Sequence, residues 1–386
     1  MFDGEVVVAG HICLDVIPTF AVETEHALQP GTLVQVGPAQ FAPGGTVANV
    51  GLTLHRLGCR ARLVAKVGDD RFGATLLDLL RTYDPALTQG MQVTPGETTS
   101  YSVVINPPGV DRTFLHCPGA NDRFGAADVA LDWAGVRALH FGYPPLMARI
   151  AANDGAELAL LLAEARTHGV MTSLDMAWPD PDSAAGQLDW AAILRNCLPH
   201  VDLFLPSAEE LVFMLAGPTV GTNWSVVQID ALAQRCLALG AAVVAVKLGN
   251  QGLFLRTTTD PSRLATAGAT FAGSVTDWLG RQLWAPCFAA QVAGTTGAGD
   301  ATIAGFLLAI LAQMHPGAAL THAVAVGACS VEASDATSGI PPWETVQARI
   351  AAGWARVPLR ELPTDWWWDD SAEIWHGPYD QEGVKR

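Results

Sequence analysis

Gly294-Thr295-Thr296-Gly297-Ala298-Gly299-Asp300 runs directly into Ala301-Thr302-Ile303-Ala304-Gly305-Phe306-Leu307-Leu308, an apolar segment with helical spacing. Glycines let a backbone turn tightly and come close to a ligand. The N–H groups of Gly297, Ala298, Gly299 and Asp300 open a helix, where they lack intrahelical partners and carry the positive end of its dipole. Such an end receives an anion, most often a phosphate. Asp300 sets a carboxylate beside that anion hole, which phosphate binding alone does not require. A carboxylate there suits proton removal from a hydroxyl that attacks the phosphate. The plainer reading is a glycine-rich turn with Asp300 as an ordinary helix N-cap.

Half of the 386 residues are hydrophobic, enough for a large core in one big α/β domain or two smaller ones. A formal net charge of −16 argues against a nucleic-acid partner, which needs a basic face. Nucleotides remain open, because backbone N–H groups and Mg²⁺ supply a local positive field. The seven cysteines are scattered and contain no Cys-x-x-Cys, so they read as reduced thiols with neither a disulfide frame nor a zinc site. The acidic start Met1-Phe2-Asp3-Gly4-Glu5 lacks a signal-peptide n-region, and no apolar run reaches membrane-spanning length. The expectation is a soluble cytoplasmic protein with no membrane partner.

Working outward, Glu5–Ala9 is a short apolar run ending at Gly10, as in a buried parallel strand, and Asp15 lies just beyond it. Ligands of open α/β sheets sit at that strand end. Val16–Phe41 reads as extended segments broken by prolines and glycines, and Pro43-Gly44-Gly45-Thr46-Val47-Ala48-Asn49 leads into a helix that Gly58 stops. A second extended pair, Thr99–Ile105 and Asp111–His116, flanks a Pro107-Pro108-Gly109 turn. With Val16–Phe41 it makes a small accessory sheet. From Ala138 to Lys247 strands and helices alternate, including strand Val170–Asp175 and helices Gly155–Thr167 and Glu209–Leu215. That alternation means a largely parallel sheet with helices on both faces. Gly252–Ala290 reads as irregular, with short β-like runs at Leu253–Thr257 and Leu283–Val292, and the tail from Trp366 as an ordered aromatic wrap on the body.

Four stretches, in order, resemble the ribokinase-like (PfkB) family of sugar and nucleoside kinases. They are Gly10 with Asp15; Gly44-Gly45-Thr46-Val47-Ala48-Asn49 with Arg56-Leu57-Gly58; Phe204-Leu205-Pro206-Ser207-Ala208-Glu209-Glu210; and Thr296-Gly297-Ala298-Gly299-Asp300. Arg112-Thr113-Phe114, Gly119-Ala120-Asn121 and Val246-Lys247-Leu248-Gly249 with Gly252 match more weakly. Two signatures about 250 residues apart in an α/β pattern are far more specific than a lone Gly-Ala-Gly-Asp. The resemblance implies a doubly wound, mostly parallel sheet with helices on both faces and a small β-sheet lid. The expected layout is a kinase domain over residues 1–355, its lid from about 12–42 and 97–118, and a Trp-rich acidic tail over 356–386.

The roles follow from the resemblance. Asp300 is the expected base, with Gly297, Ala298 and Gly299 as the anion hole for an ATP-dependent transfer to a sugar, sugar acid or nucleoside hydroxyl. Asp15, Gly44, Gly45, Asn49 and Arg112 are the expected acceptor contacts. Ser207, Lys247, Gly249, Gly252 and Thr296 belong to the nucleotide, and Glu210 to Mg²⁺ through water. Without the resemblance, Glu210 is a solvated acid at a helix start, Lys247 a strand-end surface charge and Arg112 an exposed hairpin arginine. Two departures stand out: Ser207 replaces the family's asparagine, and Gly294 replaces an acid that helps hold K⁺ in K⁺-activated relatives, so little K⁺ dependence is expected. These departures motivate the alternative of a catalytically idle binding or scaffold protein. Family members that take sugar phosphates tend to carry a lysine where this chain has Thr46, and Leu14–Asn49 holds no Lys or Arg. A neutral or carboxylated polyol is the expected acceptor, and lid sheets with open edges invite a homodimer.

Overall fold

The computed structural model of the chain describes residues 4–20, 30–31, 33–107, 112–217, 224–271, 275–360 and 364–380. Among them fifteen strands form two sheets. The first seven in chain order are β1 (Glu5–Gly10), β2 (Cys13–Pro18), β3 (Ala39–Gly44), β4 (Arg60–Gly68), β5 (Met91–Thr94), β6 (Tyr101–Ile105) and β7 (Thr113–Cys117). The middle of the chain supplies β8 (Val136–Gly142), β9 (Met171–Leu174), β10 (Leu203–Phe204) and β11 (Val243–Lys247). Last come β12 (Leu253–Thr257), β13 (Gln282–Ala285), β14 (Trp367–Asp369) and β15 (Ile374–His376).

The large sheet runs β14-β15-β13-β12-β11-β10-β9-β8-β1-β4-β5. From β11 to β5 every neighbour is parallel, and from β12 to β14 every pairing is antiparallel. Successive residues of β1 point to opposite faces and enter different cores. Val6 and Val8 pack with Val50, Leu54 and Leu63, whereas Val7 and Ala9 pack with Phe141, Leu158 and Leu161. This two-sided burial explains why the parallel strands read as continuous apolar runs rather than alternating ones. From β1 the chain moves to β4 and β5 on one side and later to β8 on the other. A crevice opens at such a reversal, outside the carboxyl ends of the strands.

The segment that opened the sequence reading becomes helix Ala298–Leu311, apolar on every side and buried from Ala301 to Ile310 except for Thr302. Gly305 lets helix Pro316–Ser330 approach it, since a Cβ there would lie 2.9 Å from Val326. The small sheet has the order β3-β2-β6-β7, with β2 and β6 parallel and both outer pairs antiparallel. Phe41, Phe114 and Leu115 stand about half exposed on it. All seven cysteines are free thiols.

Three features add to the sequence reading. The helix expected over Gly155–Thr167 is in place, and a helical turn from Ala148 precedes it across a break at residues 152–155, where Asn153, Asp154 and Gly155 take positive φ. Gly252–Ala290 holds β12 where the first β-like run is read, β13 at the start of the second, and three short helical turns; β13 stops at Ala285 because Pro286 cannot continue the ladder. The Trp-rich segment joins the sheet as a hairpin on β13, with Trp366 packed edge-on against Trp284 and beside Phe254. Residues 108–111 of the expected hairpin turn and 21–29 of the extended region lie outside the described residues.

A buried ion pair fastens the hairpin. Asp380 accepts from Arg281 Nε at 2.6 Å, from Arg281 Nη2 at 3.1 Å and from the Gln282 N–H at 3.2 Å. His376 Nδ1 lies 2.5 Å from the same carboxylate. Burial pushes the Asp380 pKa up, but the His376 and Arg281 contacts outweigh it and hold it below the ordinary value. Replacing Asp380 by Ala removes a buried countercharge of Arg281, so urea unfolding is expected to show a loss of about 3 kcal/mol or more. A loss under about 1 kcal/mol would show that the pair contributes little beyond the packing around it.

Candidate active site

Gly297 is the N-cap of helix Ala298–Leu311 and sits at φ +72°, where a Cβ would come within 2.4 Å of Ala336. Only glycine makes that turn without moving the facing loop. Asp300 is therefore not the N-cap. Its carboxylate turns away from its own helix: Oδ2 accepts from Asn49 Nδ2 at 2.9 Å, and Tyr143 OH lies 2.9 Å from both oxygens. Asp300 is buried. Burial raises its pKa above the ordinary carboxylate value, while Lys247, Asn49 and Tyr143 pull the other way.

On one side of Asp300 lies a polar pocket between the two sheets. Asp15 projects from β2, and Gly44 at the end of β3 is its mate in shape: a Cβ on Gly44 would lie 2.3 Å from the Asp15 carboxylate. Gly45, at φ +80°, begins helix Gly45–Arg56 beside His11, whose Nδ1 would be 2.6 Å from an added Cβ. The glycine pair thus makes room for two functional side chains. Around them, His11 Nε2 meets His116 Nε2 at 3.3 Å, and Ser102 Oγ meets His116 Nδ1 at 3.0 Å. Cys13 Sγ donates to Asp15 at 3.3 Å. Asn49 Oδ1 and His11 Nδ1 are buried without a hydrogen-bond partner. Such orphaned atoms fit a pocket shaped for a hydroxyl-bearing ligand.

On the other side, strand ends of the large sheet converge. Lys247, last in β11, is no surface charge: Nζ lies 2.5 Å from Asp175 Oδ1, just beyond β9. Burial works against the Lys247 charge, yet Asp175, Glu210 and Asp300 together raise its pKa. Burial also pushes Asp175 well above, and Glu210 above, the ordinary carboxylate value, against the pull of Lys247. Ser207 caps helix Ala208–Ala216 in a reciprocal box: its Oγ accepts from Glu210 N at 3.3 Å, and Glu210 Oε2 accepts from Ser207 N at 2.7 Å. Gly249 and Gly252 form the turn after β11, both at positive φ, and a Cβ on Gly252 would strike the Ala285 carbonyl at 2.0 Å. Arg112 reaches from the small sheet to the hydroxyl of Thr296, so the small sheet is tied across the opening to the loop before helix Ala298–Leu311.

Every residue given a catalytic, acceptor, nucleotide or Mg²⁺ role from the sequence except Gly44 lines one cleft of about 2010 Å³, and Gly44 packs behind Asp15. Pockets for a single small ligand run to about 1,000 Å³, so this cleft has room for two substrates side by side. The sequence reading passed over Tyr143, Asp175, His11, His116 and Ser102. Tyr143 and Asp175 follow the carboxyl ends of β8 and β9, and that placement was the available signal.

The pfkB family carbohydrate kinase model matches residues 3–343. The chain belongs to the PfkB family. This PfkB carbohydrate kinase is 26% identical over 361 residues to a probable chloroplastic fructokinase-6 of Arabidopsis thaliana, covering 89% of this chain and 82% of that protein. It is 26% identical over 322 residues to the 2-dehydro-3-deoxygluconokinase of Thermoproteus tenax, covering 82% and 87%. Its fold matches Arabidopsis thaliana ribokinase complexed with ribose and ATP, with a TM-score of 0.69 at 20% identity over 90% of this chain and 98% of that one. A double mutant of Vibrio cholerae fructokinase, bound to fructose, ADP and potassium, gives a TM-score of 0.66 at 22% identity, with coverages of 90% and 98%. Among the described residues of the PfkB chain, no helix is long and apolar enough to cross a membrane.

Burial raises the Asp15 pKa from 3.8 to about 6, against hydrogen bonds from Cys13 and Ser102. Between those values the folded protein holds a proton that the unfolded chain has released. The Asp15 contribution to stability is therefore full below the lower value and lost as pH rises through the upper one. Asp15→Asn removes this titration, so its melting temperature relative to wild type is expected to rise from about pH 5 to about pH 7.5. A difference that stays constant over that range would contradict a buried, proton-binding Asp15.

Proposed function

We propose that this carbohydrate kinase transfers the γ-phosphoryl group of ATP to a hydroxyl of a neutral or carboxylated sugar, with Asp300 as the base. The acceptor oxygen forms the new bond to phosphorus, the bond to the β,γ-bridging oxygen breaks, and the hydroxyl proton passes to Asp300 as ADP leaves. The observation that carries this reading is the aim of the Asp300 carboxylate, away from its own helix and into the junction of the two pocket halves. The N–H groups of Gly297, Ala298 and Gly299 face the charge that develops on the phosphoryl oxygens. Asp15, Asn49 and the glycine pair hold the acceptor, and Arg112 closes the small sheet over it as a lid against water. Exposed Phe41, Phe114 and Leu115 support pairing of two copies through that sheet.

Lys247, Gly249, Gly252 and Thr296 take the nucleotide side, with Ser207 at the helix start beside them. No group of three or more metal-ligating side chains occurs among the described residues, which suits a Mg²⁺ carried by the phosphates and keeping its water. Glu210 and the unpartnered Asp175 Oδ2 would receive that water. Bound there, Mg²⁺ neutralises charge on the phosphates. We assign residues 1–355 to the catalytic domain and 356–386 to a C-terminal segment that braces it.

The acceptor half supports a sugar or sugar acid over a sugar phosphate, since Arg112 is the single lysine or arginine among the described residues lining it. Fructose, ribose and 2-dehydro-3-deoxygluconate, each tested beside fructose 6-phosphate in a coupled ADP-release assay, are expected to separate accordingly. For the best of them, Asp300→Asn is expected to lower kcat by about 10²-fold or more while the protein stays folded. Near-wild-type turnover in the folded variant would remove Asp300 from this role, and preference for fructose 6-phosphate would remove the acceptor class.

We infer that little K⁺ dependence follows from Gly294, which brings no acid to a potassium site. A Cβ at Gly294 would lie 2.9 Å from the carbonyl oxygens of both Ala333 and Ser334. The nearby Asp335 has Oδ1 committed to the Thr337 and Ser338 N–H groups at 2.9 and 2.7 Å. Initial rates in K⁺, Na⁺ and Cs⁺ chlorides at equal ionic strength are expected to agree within about twofold. Stimulation by K⁺ of about tenfold would show that carbonyl oxygens alone hold the ion.

A further inference from the structure

Tyr143 follows β8 directly and takes φ 63°, ψ 44°, a left-handed conformation that bulky side chains rarely adopt. Pro144 and Pro145 come next, in a single tight turn. Strained backbone of this kind clusters at functional sites, held by the structure around it. Here it carries a phenol to Asp300, with the hydroxyl 2.9 Å from each carboxylate oxygen. The ring stands beside His11, with centroids 6.0 Å apart, inside the acceptor half of the cleft.

An ionised carboxylate only accepts hydrogen bonds, and a hydroxyl about to be deprotonated must donate one to it. Asn49 already occupies one flank of Oδ2. The Tyr143 hydroxyl fills the place where an attacking hydroxyl would donate. Burial and the nearby Asp300 and Asp175 charges push the phenol well above its ordinary pKa, so it stays a donor and never competes as a base. We propose that Tyr143 is a positioning residue that stands in for the acceptor hydroxyl, keeping water off Asp300 until a sugar displaces it.

This rests on Asp300 being the base. The reaction it restrains is hydrolysis of the nucleotide. A water oxygen would bond to the γ-phosphorus, the bond to the β,γ-bridging oxygen would break, the water proton would go to Asp300, and ADP and phosphate would leave. Water is smaller than any sugar and always present, so an uncovered base beside a phosphate site would consume ATP without product. Besides Tyr143, Asp300 faces Asn49 from helix Gly45–Arg56 and Lys247 from the end of β11. Asp175 and Glu210 lie behind Lys247.

The test is Tyr143→Phe, which keeps the ring and removes the hydroxyl, assayed as the full chain. With MgATP and no acceptor, phosphate release relative to transfer to the best sugar of the panel is expected to rise about tenfold or more, as loss of one charge-assisted hydrogen bond allows. Tyr143→Leu, also without the hydroxyl, is expected to move the ratio the same way, which guards against a folding defect in either variant alone. A hydrogen bond to the ionised form lowers a carboxylate pKa, so losing it moves the acid limb of kcat/KM, which reports the free enzyme, to higher pH. The acid limb of kcat stays in place, because the bound sugar has already displaced Tyr143. An unchanged ratio of hydrolysis to transfer, or acid limbs that shift together, would overturn the proposal. Absence of transfer to any sugar by the wild-type protein would instead overturn the kinase reading beneath it.

Discussion

One buried ammonium holds the site together. Lys247 sits among Asp175, Glu210 and Asp300, with its Nζ bonded to Asp175, in a place where none of the four groups reaches bulk water freely. Isolated carboxylates in such a setting would take up protons rather than stay charged. A single lysine cannot neutralise three of them, and all three keep raised pKa values. The cluster is therefore short of positive charge. The helix start at Gly297–Asp300 lies on the same side, and a Cβ on Gly299 would lie 3.5 Å from the Lys247 chain. Under the proposed reading, an anionic phosphate entering here would meet backbone dipoles and a lysine.

The parallel sheet makes this arrangement possible. His11 follows β1, Tyr143 follows β8, Asp175 follows β9, Ser207 follows β10, and Lys247 ends β11. These residues are far apart in the chain, yet all stand at the carboxyl edge of adjacent strands. Helix Ala298–Leu311, buried on all sides, then brings Asp300 to the edge from above. Its apolar surround fixes the helix so firmly that the carboxylate is aimed by packing rather than by local turns.

Much of this was legible in the sequence. The apolar runs, the alternation of strands and helices, and the two glycine signatures announced the parallel sheet and the cleft. Asp300, Asp15, Asn49 and Lys247 were singled out from their neighbours in the chain. Their contacts were not legible, because each contact joins residues that are remote in sequence: Asn49 to Asp300, Tyr143 to Asp300, Asp175 to Lys247. Lys247 could also be read as a surface charge because nothing in Val246-Lys247-Leu248 records that Asp175 waits two strands away, across β10. Short strands suffered most. β14 and β15 have three residues each, too few for a period to show, and their identity comes from pairing with β13.

That pairing bears on how the chain comes together during synthesis. β13 is complete by residue 285, but the strand that covers its edge begins at residue 374, so nearly ninety residues must be translated in between. A ribosome adds roughly 5–20 residues per second, which leaves the edge open for several seconds. Leu283 and Trp284 would meanwhile offer an apolar, unpaired strand to any other nascent chain. The same late stretch contributes Val357 and Arg360 to the wall of the cleft. The protein thus completes the wall of its cleft and covers an apolar edge through one stretch of chain, and chaperone demand should peak in the interval before that stretch emerges.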